Sequence, residues 1–151
     1  ALAVSADFRK AVYTMIQKFL PIEMQLTYQV DGEPLEQLPN GYSDHYVPDG
    51  FERDYEQGYD DAQAFLHVYT DIMTNDFYTV SCAIVQNQNQ KELFDNEHTK
   101  YRKVKMGDVE ALLGEDKNTG YYLVWEDEGI THTIIGRISI RELMLVAQKI
   151  Y

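Results

Sequence analysis

Residues 120–151 read GYYLVWEDEGITHTIIGRISIRELMLVAQKIY, and this stretch decides the fold. Two runs of aromatic and β-branched residues, 121–125 and 130–135, flank three acids and Gly129, a pattern typical of two strands joined by a turn. Ser139 then offers a hydroxyl to cap a helix, and Glu142 follows three residues later, which predicts a capping box and an amphipathic helix over 139–151. Each of these elements has one apolar side, so the remaining chain must complete a shared core.

Two further elements are predicted near the N-terminus. Apolar residues recur at three- and four-residue intervals up to Pro21, which predicts a helix over 1–20. Residues 22–30 alternate between apolar and polar, which indicates a half-buried strand. The residues expected in the core are Val12, Ile16, Trp125, Leu143 and Ala147.

Residues 31–61 are rich in Gly, Pro, Asn, Asp and Tyr. This composition predicts a long irregular connection with a short strand near Tyr46. Its aromatic and acidic residues make it the most partner-like part of the surface, and the candidate partner-binding residues are Tyr55, Tyr59, Asp60 and Asp61. Alternatively, the tyrosines pin this loop to the body of the domain.

The rest of the chain is read as strands joined by short turns. Residues 64–73 fit either a strand or a helix, 77–86 a strand, 97–106 an exposed strand with protective basic residues, and 109–113 its partner. Short turns imply antiparallel pairing. We therefore predict a single α+β domain over 1–151, with strands and loops over 22–135 forming an antiparallel sheet of about five to six strands packed against an N-terminal and a C-terminal helix.

The composition restricts the partners. A formal charge of −12 repels phosphate backbones and anionic lipid headgroups, so we expect no nucleic-acid partner. No window contains the roughly 20 apolar residues of a membrane helix. Membrane contact is expected only through an anchor upstream of the small apolar residues 1–6, which otherwise form the first turn of the helix. The partner is an unknown protein or small-molecule ligand.

The chemistry-bearing residues form no recognisable motif. Cys82 is the single cysteine and lies in an apolar run, so it is expected to be a small buried hydrophobe. The four histidines lack metal-ligand spacing, and His132 is expected to be a surface or partly buried imidazole. We predict no catalytic residue, no cofactor and no metal site. Paired acids such as Asp60 and Asp61 leave a carboxylate-based hydrolase as the less favoured alternative.

Several stretches resemble one family of bacterial domains of unknown function. They are the Trp-acidic hairpin at 123–130, the Glu-Leu helix at 139–147, the Tyr-x-Pro-x-Gly-Phe element at 46–51, and the opening helix that runs into a strand at Ile22. The resemblance touches most of the chain, although its motifs are structural.

The resemblance implies a location and a role. Members are typically the extracytoplasmic part of single-pass membrane proteins in Gram-positive bacteria, often with an anti-sigma-like cytoplasmic portion, and have no established catalytic residue. A distant likeness to lipoprotein-carrier and periplasmic sigma-regulator sheets suggests a lipid or peptide carrier as an alternative. The sequence thus favours a non-enzymatic, extracytoplasmic, membrane-anchored sensory or binding domain.

Overall fold

The structure, a computed structural model, describes residues 25–29, 35–85, 89–93, 100–117 and 120–151. Within these ranges it contains nine strands and one helix. They are β1 (Gln25–Gln29), β2 (Phe51–Asp60), β3 (Ala64–Asp71), β4 (Phe77–Ile84), β5 (Asn89–Leu93), β6 (Lys100–Met106), β7 (Val109–Asp116), β8 (Gly120–Asp127), β9 (Ile130–Gly136) and α1 (Ile140–Gln148).

Seven of these strands form one antiparallel sheet in the order β2-β3-β4-β9-β8-β7-β6, and β1 pairs with β5 in a separate two-stranded sheet. The α+β class is confirmed, but the predicted strand number was too low. The predicted helix over 1–20, with Val12 and Ile16, lies outside the described residues. No helix in the described ranges has the length and apolarity that a membrane span requires.

The low strand number has one main source, the segment 31–61. The prediction of a long irregular connection was wrong for residues 51–60, which form edge strand β2. Exposed polar residues alternate irregularly there, because β2 carries a bulge between Arg53 and Gly58. The short strand expected near Tyr46 is a single bridge that pairs Asp44 with Ile150.

The strand pairs predicted from turns and alternation are present. β8 and β9 form the expected hairpin around Gly129, and the uncertain stretch 64–73 is strand β3, paired along its length with β4. β6 pairs with β7 and lies at the sheet edge, where Lys103 and Lys105 are exposed. Lysines on an edge strand discourage pairing with another chain.

The helix begins as its capping signal predicts. Ser139 Oγ accepts a hydrogen bond from the Glu142 N–H at 3.1 Å. The Glu142 carboxylate accepts a hydrogen bond from Tyr46 Oη at 2.7 Å, so it also attaches the Tyr-x-Pro-x-Gly-Phe element to the helix. Leu143, Val146 and Ala147 are buried.

One face of the sheet holds the main core. Leu143 and Ala147 of α1 pack there with Trp125, as predicted, and Cys82 is buried in the same cluster. The segment before β2 packs on this core through Leu38, Tyr42 and Tyr46, among other residues. Its backbone also joins the C-terminus, because Ser43 and Tyr151 exchange two N–H···O=C bonds of 3.0 Å. The helix and the segment 38–46 thus share one sheet face.

Candidate functional site

Two buried histidines lie on the core face of the sheet, beneath the segment 38–46. His67 of β3 pairs with Val80, and His132 of β9 pairs with Cys82. Val80 and Cys82 are two residues apart on β4, so both imidazoles point to the same face. Each histidine is only 2% exposed.

His67 is held between two carboxylates. Its Nδ1 lies 2.7 Å from Asp44 Oδ1, and its Nε2 lies 2.6 Å from Asp60 Oδ1. Tyr69 donates a hydrogen bond to the second oxygen of Asp44, and Arg53 donates one of 2.9 Å to the second oxygen of Asp60. These five residues are called the anchor cluster below.

The surroundings of the anchor cluster favour the ionised form of both carboxyl groups. Burial alone would raise the pKa of Asp44, but hydrogen bonds from His67 and Tyr69 outweigh it and hold that pKa below its ordinary value. Burial also opposes ionisation of Asp60, whose pKa is lowered by His67 and Arg53. Ionised carboxylates only accept hydrogen bonds, so both carboxylates act as acceptors toward the ring nitrogens of His67. Both side-chain oxygens of Asp44 are engaged, one by His67 and one by Tyr69.

A bulge in β2 makes this cluster possible. Arg53 pairs with Tyr69 and Gly58 with His67, so the chain advances five residues along β2 for two along β3. The odd difference reverses the alternation of side chains, so Arg53 and Asp60 emerge on the same face although they are seven positions apart. Gly58 has a φ of +94°, and a Cβ there would lie 2.1 Å from the carbonyl oxygen of Leu66.

His132 has aromatic surroundings instead. Its ring is stacked on the indole of Trp125, with centroids 4.6 Å apart and planes 3° from parallel. The hydroxyl of Tyr42 lies 2.5 Å from Nε2. Burial lowers the pKa of His132 to about 4. Burial also raises the pKa of Tyr42. At neutral pH the tyrosine therefore donates to an uncharged imidazole.

A cleft of about 390 Å³ opens beside this pair. It lies between the β6–β7 turn, the end of β8 and the end of α1, and Tyr42 forms one wall. Most of the lining residues are apolar or aromatic, but the surface that they expose to the cleft is more polar than apolar. The residues that line it are Tyr42, Met106, Gly107, Val109, Trp125, Asp127, His132, Ala147, Gln148 and Ile150.

The residues predicted from sequence as a partner surface do not lie on one face of the sheet. Tyr55 is 67% exposed beneath the Arg53 guanidinium, 4.5 Å from ring centroid to Cζ, whereas Tyr59 packs against Leu66 and Val68 on the opposite sheet face. The Asp61 carboxylate accepts backbone N–H bonds of 2.9 and 2.8 Å from Gln63 and Ala64, which shapes the β2–β3 turn.

Asp60 and Asp61 come together in a second, open cleft of about 290 Å³. This cleft follows the turn 37–42, so Tyr42 stands between it and the larger cleft. Its acids already bond to their own chain, Asp60 to Arg53 and His67 and Asp61 to the turn. The larger cleft is therefore the better candidate for a ligand.

Sequence reasoning missed most of the larger cleft. His132 was expected at the surface or partly buried, but it is fully buried because its strand is central in the sheet. Tyr42 reaches it across ninety positions of sequence, and no local pattern carries that contact. The placement of Trp125 in the core was the one usable signal. Cys82 is buried and its thiol pKa is raised by burial, as expected for a packing residue. The described ranges contain no cluster of three His, Cys, Asp or Glu residues arranged to hold a metal.

The comparison with protein families assigns most of the chain to one of them. Residues 41–150 match the family described as Domain of unknown function (DUF4367), and the chain belongs to that family. The matched region begins one residue before Tyr42 and ends at Ile150, so it includes the anchor cluster and the larger cleft. No curated protein and no solved structure matches the chain.

Proposed function

We propose that this chain is the extracytoplasmic sensory domain of a membrane-anchored regulatory protein, and that it acts by binding a small ligand in the larger cleft. The observation that carries this proposal is the cleft itself, with its stacked Trp125 and uncharged His132 and its wall formed by Tyr42. The volume of about 390 Å³ lies within the range of small-molecule sites, roughly 300 to 1,000 Å³.

The environment of the polar groups favours binding over catalysis. A general base needs a free acceptor within reach of a substrate, whereas the Asp44 side chain is 1% exposed and bonded to His67 and Tyr69. The raised thiol pKa of Cys82 is opposite to the shift that activates a nucleophile. The hydrolase alternative therefore gains no support from Asp60 and Asp61, whose carboxylates bond to their own chain.

A route for the signal begins at Tyr42. Two residues further on, Asp44 is fixed to β3 by His67 and Tyr69 and to the C-terminus by its bridge with Ile150. A ligand that displaces the Tyr42 hydroxyl from His132 would move the short segment between Tyr42 and Asp44, which is held in place at Asp44. In this proposal the displacement reaches the chain termini, and from there a membrane anchor and a cytoplasmic regulatory portion. The family resemblance supports that membrane context.

The test is native mass spectrometry of the purified chain beside its denatured mass. An excess native mass equal to one small molecule supports the proposal and identifies the ligand class. Val109→Phe, which places a larger side chain on the cleft wall, should remove that mass, whereas Tyr55→Ala on the distant edge strand should retain it.

Other results would redirect the assignment. Loss of the ligand in Tyr55→Ala but not in Val109→Phe would move the site to the aromatic-acidic residues of β2. A heterogeneous set of lipid masses would favour the carrier alternative. A clean apo mass together with a copurified protein would contradict small-ligand sensing.

A further inference from the structure

The lining of the larger cleft has an uneven charge distribution. Among its ten residues, all within the described ranges, Asp127 is the single one that carries a full charge at neutral pH. Asp127 is exposed at the end of β8, so its carboxylate is accessible to a ligand. Neither lysine nor arginine belongs to the lining. The cleft thus offers one acidic side chain and no basic side chain that could pair with an anionic ligand.

We infer that the ligand of this cleft is a small organic cation, a primary ammonium group on a short apolar body, with Asp127 as its charge partner. This inference rests on the proposed function, because it names the ligand class of the same site. An anionic ligand such as a fatty acid or a phosphate ester would meet the Asp127 carboxylate without a basic side chain to compensate.

The aromatic walls suit the same ligand. An ammonium group near the face of an indole or phenol ring is attracted by the negative potential of the ring, most strongly for tryptophan. Tyr42 and Trp125 both belong to the lining, with one face of the Trp125 indole covered by His132, and Met106, Val109 and Ile150 supply apolar surface for the rest of the ligand. The imidazole of His132 is uncharged at neutral pH, so it does not repel a cation.

The charges beside the lining are mainly acidic. Four acids adjoin lining residues in the chain, Asp108, Glu110, Glu126 and Glu128, against two basic residues, Lys105 and Lys149. These groups contribute a diffuse field that salt screens. A preference for cations that depends on Asp127 is therefore distinguishable from the general acidity of the chain.

The experiment uses Trp125, the single tryptophan of the chain, as a fluorescent reporter in the cleft wall. Three probes of equal length, n-octylammonium, 1-octanol and n-octanoate, are titrated at one ionic strength and pH 7. We expect octylammonium to bind about ten times more tightly than octanoate and several times more tightly than octanol. Asp127→Asn should abolish that order, whereas Asp108→Asn, an equal charge change outside the lining, should preserve it.

Several results would overturn the inference. They are equal affinity for all three probes, preference for octanoate, an unchanged order in Asp127→Asn, or failure of octylammonium to bind. Equal binding of all three probes would reject the cation class while supporting a ligand-binding cleft. The native-mass comparison decides the proposed function separately, because it does not depend on the charge of the probe.

Discussion

His67 and His132 are equally buried and share one face of one sheet, yet they have different surroundings. His67 stacks on Phe65 and lies between the carboxylates of Asp44 and Asp60, which engage both of its ring nitrogens. His132 stacks on Trp125, accepts the Tyr42 hydroxyl and remains neutral. The comparison teaches that burial alone does not determine the role of a histidine. The neighbouring charges make the first a structural pin and leave the second as the floor of a cleft.

The consequence for function follows from that contrast. A buried and fully hydrogen-bonded cluster is costly to break but responds little to a ligand, because its atoms are already engaged. The neutral ring of His132 has a cleft beside it, and Tyr42 forms one wall of that cleft. Of the four residues predicted as a partner surface, Asp60 belongs to the anchor cluster, whereas Tyr55, Tyr59 and Asp61 lie outside it.

The largest effect on stability is expected from a substitution of Asp44, which disrupts the anchor cluster. Asp44→Ala removes a buried carboxylate that bonds to both His67 and the Tyr69 hydroxyl, so two buried polar groups lose their partner and the free energy of unfolding should fall by about 3 to 5 kcal/mol. Urea unfolding at pH 7 measures this change. Asp108→Ala, in the exposed β6–β7 turn, is the matched control and should change stability by less than about 0.5 kcal/mol. A loss below about 1 kcal/mol for Asp44→Ala would contradict the role of a pin.

The next prediction concerns His132 and the pH dependence of the free energy of unfolding. The pKa of His132 is about 4 in the folded protein against an ordinary 6.5, so the unfolded chain takes up a proton that the folded chain refuses. The free energy of unfolding should therefore fall as pH decreases from 6.5 to 4, by about 3 kcal/mol at about 1.4 kcal/mol per pH unit.

His132→Phe removes this contribution, so its stability should depend less on pH than that of the native chain in this window. The measurement is urea unfolding of both proteins at pH 7 and 4.5. Asp44 and Asp60 affect the free energy of unfolding at lower pH than His132 does. Because their pKa values are lowered in the folded protein, their stabilisation is present above about pH 4 and is lost below it. Parallel pH profiles for the two proteins would show that His132 is not buried as a neutral ring.

The smallest effect is expected at the wall of the cleft. Tyr42→Phe removes the hydroxyl that donates to His132 and leaves the ring in place, so we expect a loss of about 0.5 to 1.5 kcal/mol. Thermal or urea unfolding measures it, with Tyr121→Phe, a half-buried tyrosine outside the cleft lining, as a comparison. A loss as large as that of Asp44→Ala would mean that Tyr42 is a second pin and not a movable wall.

Local signals in the sequence anticipated most of the regular elements. The β8–β9 hairpin and the capped helix could be read from turn residues, alternation and the Ser139–Glu142 spacing, because each depends on contacts within a few positions. β2 could not be read in this way. Its bulge breaks the alternation that identifies a strand, and the turn-forming residues around it indicate a loop.

By itself the sequence determined the class of the domain, its acidic charge, its hairpin and its last helix, and the burial of Trp125, because these follow from composition and short-range periodicity. The tertiary structure alone decided which face each polar residue occupies. A bulge of odd length turned Arg53 and Asp60 toward His67, and the pairing of the segment around Asp44 with the C-terminus brought Tyr42 over His132. Both outcomes depend on contacts between distant parts of the chain, and side-chain chemistry follows from them because a shift of one residue in register exchanges the two faces of a strand.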